Sequence, residues 1–187
     1  SIDFLINNFN DVLKKVPKAH MVIVGDGPDM TDLMNLTHKQ KLDDKITFTG
    51  RVLWKDIAKY YALANVFVTA SKSETQGLTV IEALSASKIV IAKDDDAFRL
   101  VIEDKKDGFL FNNDNDYVSL IEWVYKNPKQ AKEIEKNARI KADKYSPLNY
   151  AKEVVKVYNK VLNKDTNVFK KTIHNIKNVL EKSGDKK

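Results

Sequence analysis

Two glutamates, Glu74 and Glu82, stand with seven residues between them on either side of Gly77, within the stretch Ser71 to Leu84, SKSETQGLTVIEAL. Carboxylates accept hydrogen bonds from hydroxyl groups. A helix start offers free backbone N–H groups and the positive end of its dipole to an anion such as phosphate. Together these groups suit a ligand that carries both hydroxyls and phosphate. Asn65 to Ala70, NVFVTA, reads as a buried strand ahead of the stretch, and Leu78 to Ala86 is an apolar, helix-forming run behind it. The order is strand, turn, helix start, and a glycine at the turn lets a ligand come close to the backbone. Glu82 sits between Ile81 and Ala83, where an unpaired carboxylate would be costly and ligand hydroxyls would satisfy it. The plainer account of both glutamates is a carboxylate favoured by the helix dipole, with no ligand.

The elements that must hold this stretch alternate. Residues 3 to 15 carry Leu5, Ile6, Phe9, Val12 and Leu13 at helical spacing, ending near Pro17. His20 to Val24 (HMVIV) reads as a short buried strand closed by the turn Gly25 to Pro28, and Asp29 to about Leu42 as a helix. Ile46 to Thr49 is a strand closed by Gly50, Trp54 to Ala64 a helix through Ile57, Tyr60, Tyr61 and Leu63, and Val66 to Thr69 the next strand. Strands at Lys88 to Ala92 and Gly108 to Phe111 flank a short helix near Phe98 to Ile102. This rhythm predicts βαβ units and a Rossmann-like, doubly wound parallel sheet covered on both faces. Ligands then sit at the carboxyl ends of the strands, the rim that collects the turns at Gly25 to Pro28, Gly50 to Val52, Ser71 to Gly77 and Lys93 to Asp96. Additional helices follow at 116 to 126, 128 to 144, 147 to 163 and 168 to 182, with Pro128 and Pro147 in first turns.

The chain of 187 residues is long enough for one α/β core with length to spare, and at 43% hydrophobic and 31% charged it is ordinary for a soluble protein. No apolar run reaches the length of a membrane span, and the first residues read as an amphipathic helix rather than a signal peptide. The absence of cysteine excludes disulfides and thiolate metal sites and agrees with a reducing cytoplasm. Of the net charge of +6, Lys164 to Lys187 carries +4, seven lysines against three acids. Lysine far outnumbers arginine and aromatics do not interleave with it, which argues against nucleic-acid recognition. The final helix at 168 to 182 is basic and amphipathic, and either lies on an anionic membrane or packs on a protein domain.

The motif SETQGLTVIEAL resembles the donor-site signature of the retaining glycosyltransferases of the GT-B fold, family 4. The strand with GDGP, the strand with Gly50, NVFVTASKSE and GFLF follow in that family's order, over residues 1 to 163. The resemblance implies a nucleotide-sugar-binding, C-terminal half, with 164 to 187 as a basic tail. It implies that Glu74 faces the donor sugar as the catalytic carboxylate and that Glu82 accepts from the ribose hydroxyls. Gln76, Gly77, Leu78 and Thr79 would offer N–H groups to sugar and diphosphate, and Gly50, Arg51 and Val52 would border the base. The turn Gly25 to Pro28 reads as a plain turn. The donor would be a UDP-sugar, with no cofactor and no metal.

Thr75, Gln76 and Gly77, with AKDDDAFRLVIEDKKDGFLF after them, are similar to bacterial 1,2-diacylglycerol 3-glucosyltransferases. That implies UDP-glucose, a lipid acceptor held by an N-terminal domain, and a cytoplasmic enzyme on the inner face of the membrane, making glycolipid. A transferase for surface polysaccharide, and a non-catalytic membrane-binding or nucleic-acid-binding module, are the alternatives. The family's diphosphate-clamping Arg and Lys and its acceptor half would precede residue 1, so the chain is expected to be a fragment, inactive alone, whose sheet lacks its first strand. Asp94, Asp95 and Asp96 read as a helix N-terminal turn rather than metal ligands. His20, His38 and His174 stand apart from one another.

Overall fold

The protein is described here by a computed structural model covering residues 1–162. The helix expected at 168 to 182, and with it the basic tail, lies outside the described residues. The chain divides into two compact units, Ser1–Asp143 and Lys144–Lys187.

In the first unit, α1 (Ile2–Lys15) buries Leu5, Ile6, Phe9 and Val12 along one stripe. β1 (Met21–Ile23), α2 (Met30–Lys39), β2 (Ile46–Phe48) and α3 (Ile57–Leu63) follow, α3 being entered through a 3-10 turn at Trp54–Asp56. Then come β3 (Val66–Thr69), α4 (Leu78–Ser85), β4 (Ile89–Lys93), α5 (Asp96–Val101), β5 (Phe109–Phe111), α6 (Asp114–Lys126) and α7 (Pro128–Asp143). α7 starts on its proline, whose missing N–H would have had no helical partner. α2 ends short of the expected Leu42, because Lys41 takes φ 57° and turns the chain so that Leu42 is buried ahead of β2. In the second unit residues 147–162 are helical. Among the described residues no helix is long and apolar enough to cross a membrane.

All strand pairs are parallel. β3, β4 and β5 form one sheet, with Val66 opposite Ile89 and Ile91 opposite Phe109. β1 and β2 form a second, with Met21 opposite Ile46 and Ile23 opposite Phe48. Ile89 to Ala92 of β4 are fully buried because successive side chains enter different cores. Ile89 and Ile91 pack with residues of α1 and with Tyr117 of α6. Val90 and Ala92 pack with Val80, Ala83 and Leu84 of α4, Phe98 of α5 and Ala138 of α7.

The expectation of cover on both faces fails for β1. Met21 is buried but Val22 and Val24 are exposed, so HMVIV is not the buried strand its composition suggests. β3 is likewise half-buried along its whole length rather than buried. Each of these strands pairs on one side only among the described residues, β1 with β2 and β3 with β4, and an edge strand receives less cover.

Candidate functional site

After β3 the chain passes buried Ala70, and the Ser71 N–H donates to Thr69 Oγ1 at 3.3 Å. The loop ends at Gly77, which holds φ 60° and ψ 42°, the left-handed region that side chains other than glycine enter at a cost. A methyl group there would also press on the Phe98 ring, 3.3 Å from the Cβ position. Phe98 is itself fully buried, so a side chain at 77 would have to displace it by a few tenths of an ångström. Glycine is therefore required twice, by conformation and by packing.

α4 begins here with no side chain capping it. The Val80 and Ile81 N–H groups donate to the Gly77 carbonyl at 2.9 and 3.1 Å, which leaves Leu78 and Thr79 at the open first turn. Glu74, Thr75, Gln76, Gly77, Leu78 and Thr79 line one recess of about 120 Å³, room for about four waters or a group of phosphate size. Glu74 is half-buried at its edge, while Gln76 and Thr79 are exposed. These residues, singled out in the sequence, lie together.

Glu82 corrects the sequence reading. It is exposed rather than lodged among apolar neighbours, because Val80, Ala83 and Leu84 take the buried side of α4 and turn position 82 outward. Its carboxylate has a partner that the sequence did not reveal: the Tyr61 hydroxyl donates to Glu82 Oε2 at 2.8 Å and lies 3.3 Å from the Thr79 carbonyl. The Tyr61 ring packs against Phe67 of β3 at 5.7 Å between centroids. Burial first, and then the Glu82 carboxylate, push the Tyr61 hydroxyl above its ordinary range, so it stays protonated and donates. In the sequence Tyr61 reads only as part of the helical stripe of Ile57, Tyr60 and Leu63.

Gly50, Arg51 and Val52 occupy a different part of the rim. The Gly25 N–H donates to the Gly50 carbonyl at 3.2 Å, tying the turn after β1 to the turn after β2. Gly50 has φ 64°, with open space where a side chain would project. Arg51 and Val52 line a cavity of about 720 Å³ with Thr49, Leu53, Asp56 and Tyr60, and Lys59 pairs with Asp56 across 2.6 Å. Arg51 is exposed, and Trp54 next to this cavity is 86% exposed.

The three aspartates are engaged within the fold. Asp95 caps α5, accepting from the Ala97 N–H at 3.0 Å, as a helix N-terminal turn requires. Arg99 clasps both Asp94 oxygens at 2.7 and 2.8 Å and reaches Asp96 at 3.1 Å. That guanidinium holds the Asp94 carboxyl below the usual carboxylate range. Beside them the Lys93 ammonium donates to the Asn112 carbonyl and sits over the Phe111 ring. His20 bonds Thr47 and His38 faces Asp43, while His174 lies outside the described residues. Among the described residues no three histidine or acidic groups gather in a way that could hold a metal ion.

A family model described as glycosyl transferases group 1 matches residues 1–141. An alpha-monoglucosyldiacylglycerol synthase of Acholeplasma laidlawii is 35% identical over 171 residues, 91% of this chain and 43% of that protein. A protein of the same name from Streptococcus pneumoniae is 36% identical over 121 residues, 65% of this chain and 27% of the other. The chain therefore spans less than half the length of these relatives. Among solved structures, a mutant of TarM from S. aureus, in complex with Fondaparinux, alpha-GlcNAc-glycerol and UDP, superposes with a TM-score of 0.77 at 27% identity, over 85% of this chain and 33% of that one. Anabaena HepE in complex with UDP-glucose shares the fold, with a TM-score of 0.69 at 17% identity, over 81% of this chain and 44% of that one.

Proposed function

The chain belongs to the group 1 glycosyl transferases, and from that membership we propose that it is the UDP-sugar-binding half of a retaining glucosyltransferase that glucosylates diacylglycerol. The observation that carries this reading is the uncapped start of α4 at Gly77, flanked by Glu74 in the recess and by Glu82 one helix turn further on. The N–H groups of Leu78 and Thr79 receive the donor diphosphate. Glu82 accepts from the ribose hydroxyls, Glu74 accepts from the hydroxyls of the sugar, and the cavity beside Gly50, Arg51 and Val52 receives the base. During transfer the acceptor hydroxyl oxygen bonds to the anomeric carbon of the sugar as the bond from that carbon to the diphosphate oxygen breaks, and the hydroxyl proton passes to the departing diphosphate. Fixed N–H donors stabilise the charge that builds on the leaving group without having to reorient. Glucose and diacylglycerol are favoured over other sugars and acceptors by the 35% identity to a protein named as an alpha-monoglucosyldiacylglycerol synthase.

Calorimetric titration with UDP-glucose, UDP-galactose and GDP-mannose tests the donor. UDP-glucose is expected to bind most tightly, and a preference for GDP-mannose would overturn the assignment of the base and sugar. The acceptor is tested with the acceptor half present: label from UDP-glucose is expected to move to diacylglycerol in vesicles, and labelling of a polysaccharide primer instead would contradict the lipid reading.

A further inference from the structure

Glu82 is exposed on α4, and a long carboxylate side chain in that position is ordinarily free to turn through several rotamers. Here it is not free. Tyr61 reaches across from α3 to hold Oε2 at 2.8 Å, and its own ring is fixed against Phe67 of β3. The 3.3 Å approach of the same hydroxyl to the Thr79 carbonyl fixes it to the first turn of α4 as well. A line of contacts therefore runs from the sheet through Tyr61 to a single carboxylate oxygen. A carboxylate has about four acceptor positions, so the exposed Glu82, with one of them taken by Tyr61, keeps acceptor capacity for a ligand.

We propose that Tyr61 is a positioning residue that presets Glu82 to accept from the vicinal hydroxyls of ribose, so that it governs selection of ribonucleotide over deoxyribonucleotide donors. This rests on the assignment of Glu82 to the ribose above. With Tyr61 in place the carboxylate meets the ligand already oriented, and binding avoids the entropy of ordering it. Without the hydroxyl, Glu82 must be ordered by the ligand itself. The loss then falls on ligands whose ribose hydroxyls use Glu82, and spares those that lack them.

The test is a set of titrations with UDP and with 2′,3′-dideoxyuridine diphosphate on wild type, Tyr61→Phe, Glu82→Ala and the double variant, with melting curves for each. Phenylalanine keeps the ring packed on Phe67 and removes only the hydroxyl. Tyr61→Phe is expected to weaken UDP about 3- to 10-fold, to leave the dideoxy ligand unchanged, and to have no further effect once Glu82 is alanine. Equal weakening of both ligands, or no weakening of UDP while Glu82→Ala is impaired, would overturn the role of Tyr61 and leave the donor site standing. If wild type failed to bind UDP, or Glu82→Ala bound it normally, the donor-site assignment would fall and take this inference with it.

Discussion

The two pieces of sheet use similar strands and end in opposite states. IVIA in β4 and MVI in β1 are both unbroken apolar runs, yet Ile89 to Ala92 are completely buried while Val22 is 39% exposed. The turns they support differ in the same way. On the three-stranded side a side chain at Gly77 would press on Phe98, whereas on the two-stranded side one at Gly50 would meet open space, and its neighbours Thr49, Arg51 and Val52 line a wide cavity. The proposed diphosphate site falls on the first of these turns, where the open start of α4 leaves N–H donors, and the proposed base site on the second, beside Arg51 and Val52.

Core truncation draws the largest contrast. Ile91→Ala in β4 is expected to cost about 2–5 kcal/mol in urea denaturation, because it leaves a cavity between two covered faces. Val22→Ala should cost about 1 kcal/mol or less, since that side chain already meets water. Equal costs would show that β1 is covered as well as β4. The glycines come next. Gly50→Ala carries only the left-handed penalty of about 1–2 kcal/mol. Gly77→Ala adds compression against the buried Phe98 ring, bringing the cost to about 2–4 kcal/mol, and it should displace the start of α4 and weaken nucleotide binding.

The smallest effect is expected at the Asp94–Arg99 pair beside the Gly77 turn. Asp94→Asn should lower Tm by no more than about 2 °C at pH 7, since Arg99 is largely exposed. The folded carboxyl titrates below its unfolded value of about 3.9, so its contribution is present above that value and fades as the pH falls through the lowered folded one. Melting curves of wild type and variant should therefore converge in strong acid. Persistence of the difference there would assign the effect to packing.

Strand positions were legible because short apolar runs bounded by glycine and polar turns leave few alternatives, as at Val66–Thr69, which begins and ends where expected. The recess at Glu74 to Thr79 was legible for a similar reason: contiguous residues at a helix start must lie together. Cover was not legible. Whether Val22 meets a helix or water depends on what lies over the sheet, and the residue type is the same in either case. Glu82 was misjudged because its neighbours in the sequence, Ile81 and Ala83, are not its neighbours around the helix. Tyr61 was missed because its partner lies 21 residues away, on a helix reached only after a strand and a loop.

Binding of a uridine diphosphate sugar at the start of α4 is the proposal on which the others rest. Ligand-observed NMR of the chain with UDP-glucose, on wild type and Glu82→Ala, tests it most directly because the method detects weak binding. The ribose and uracil signals are expected to respond with wild type and to fade with the variant. Silence from wild type, or an undiminished response from Glu82→Ala, would contradict it.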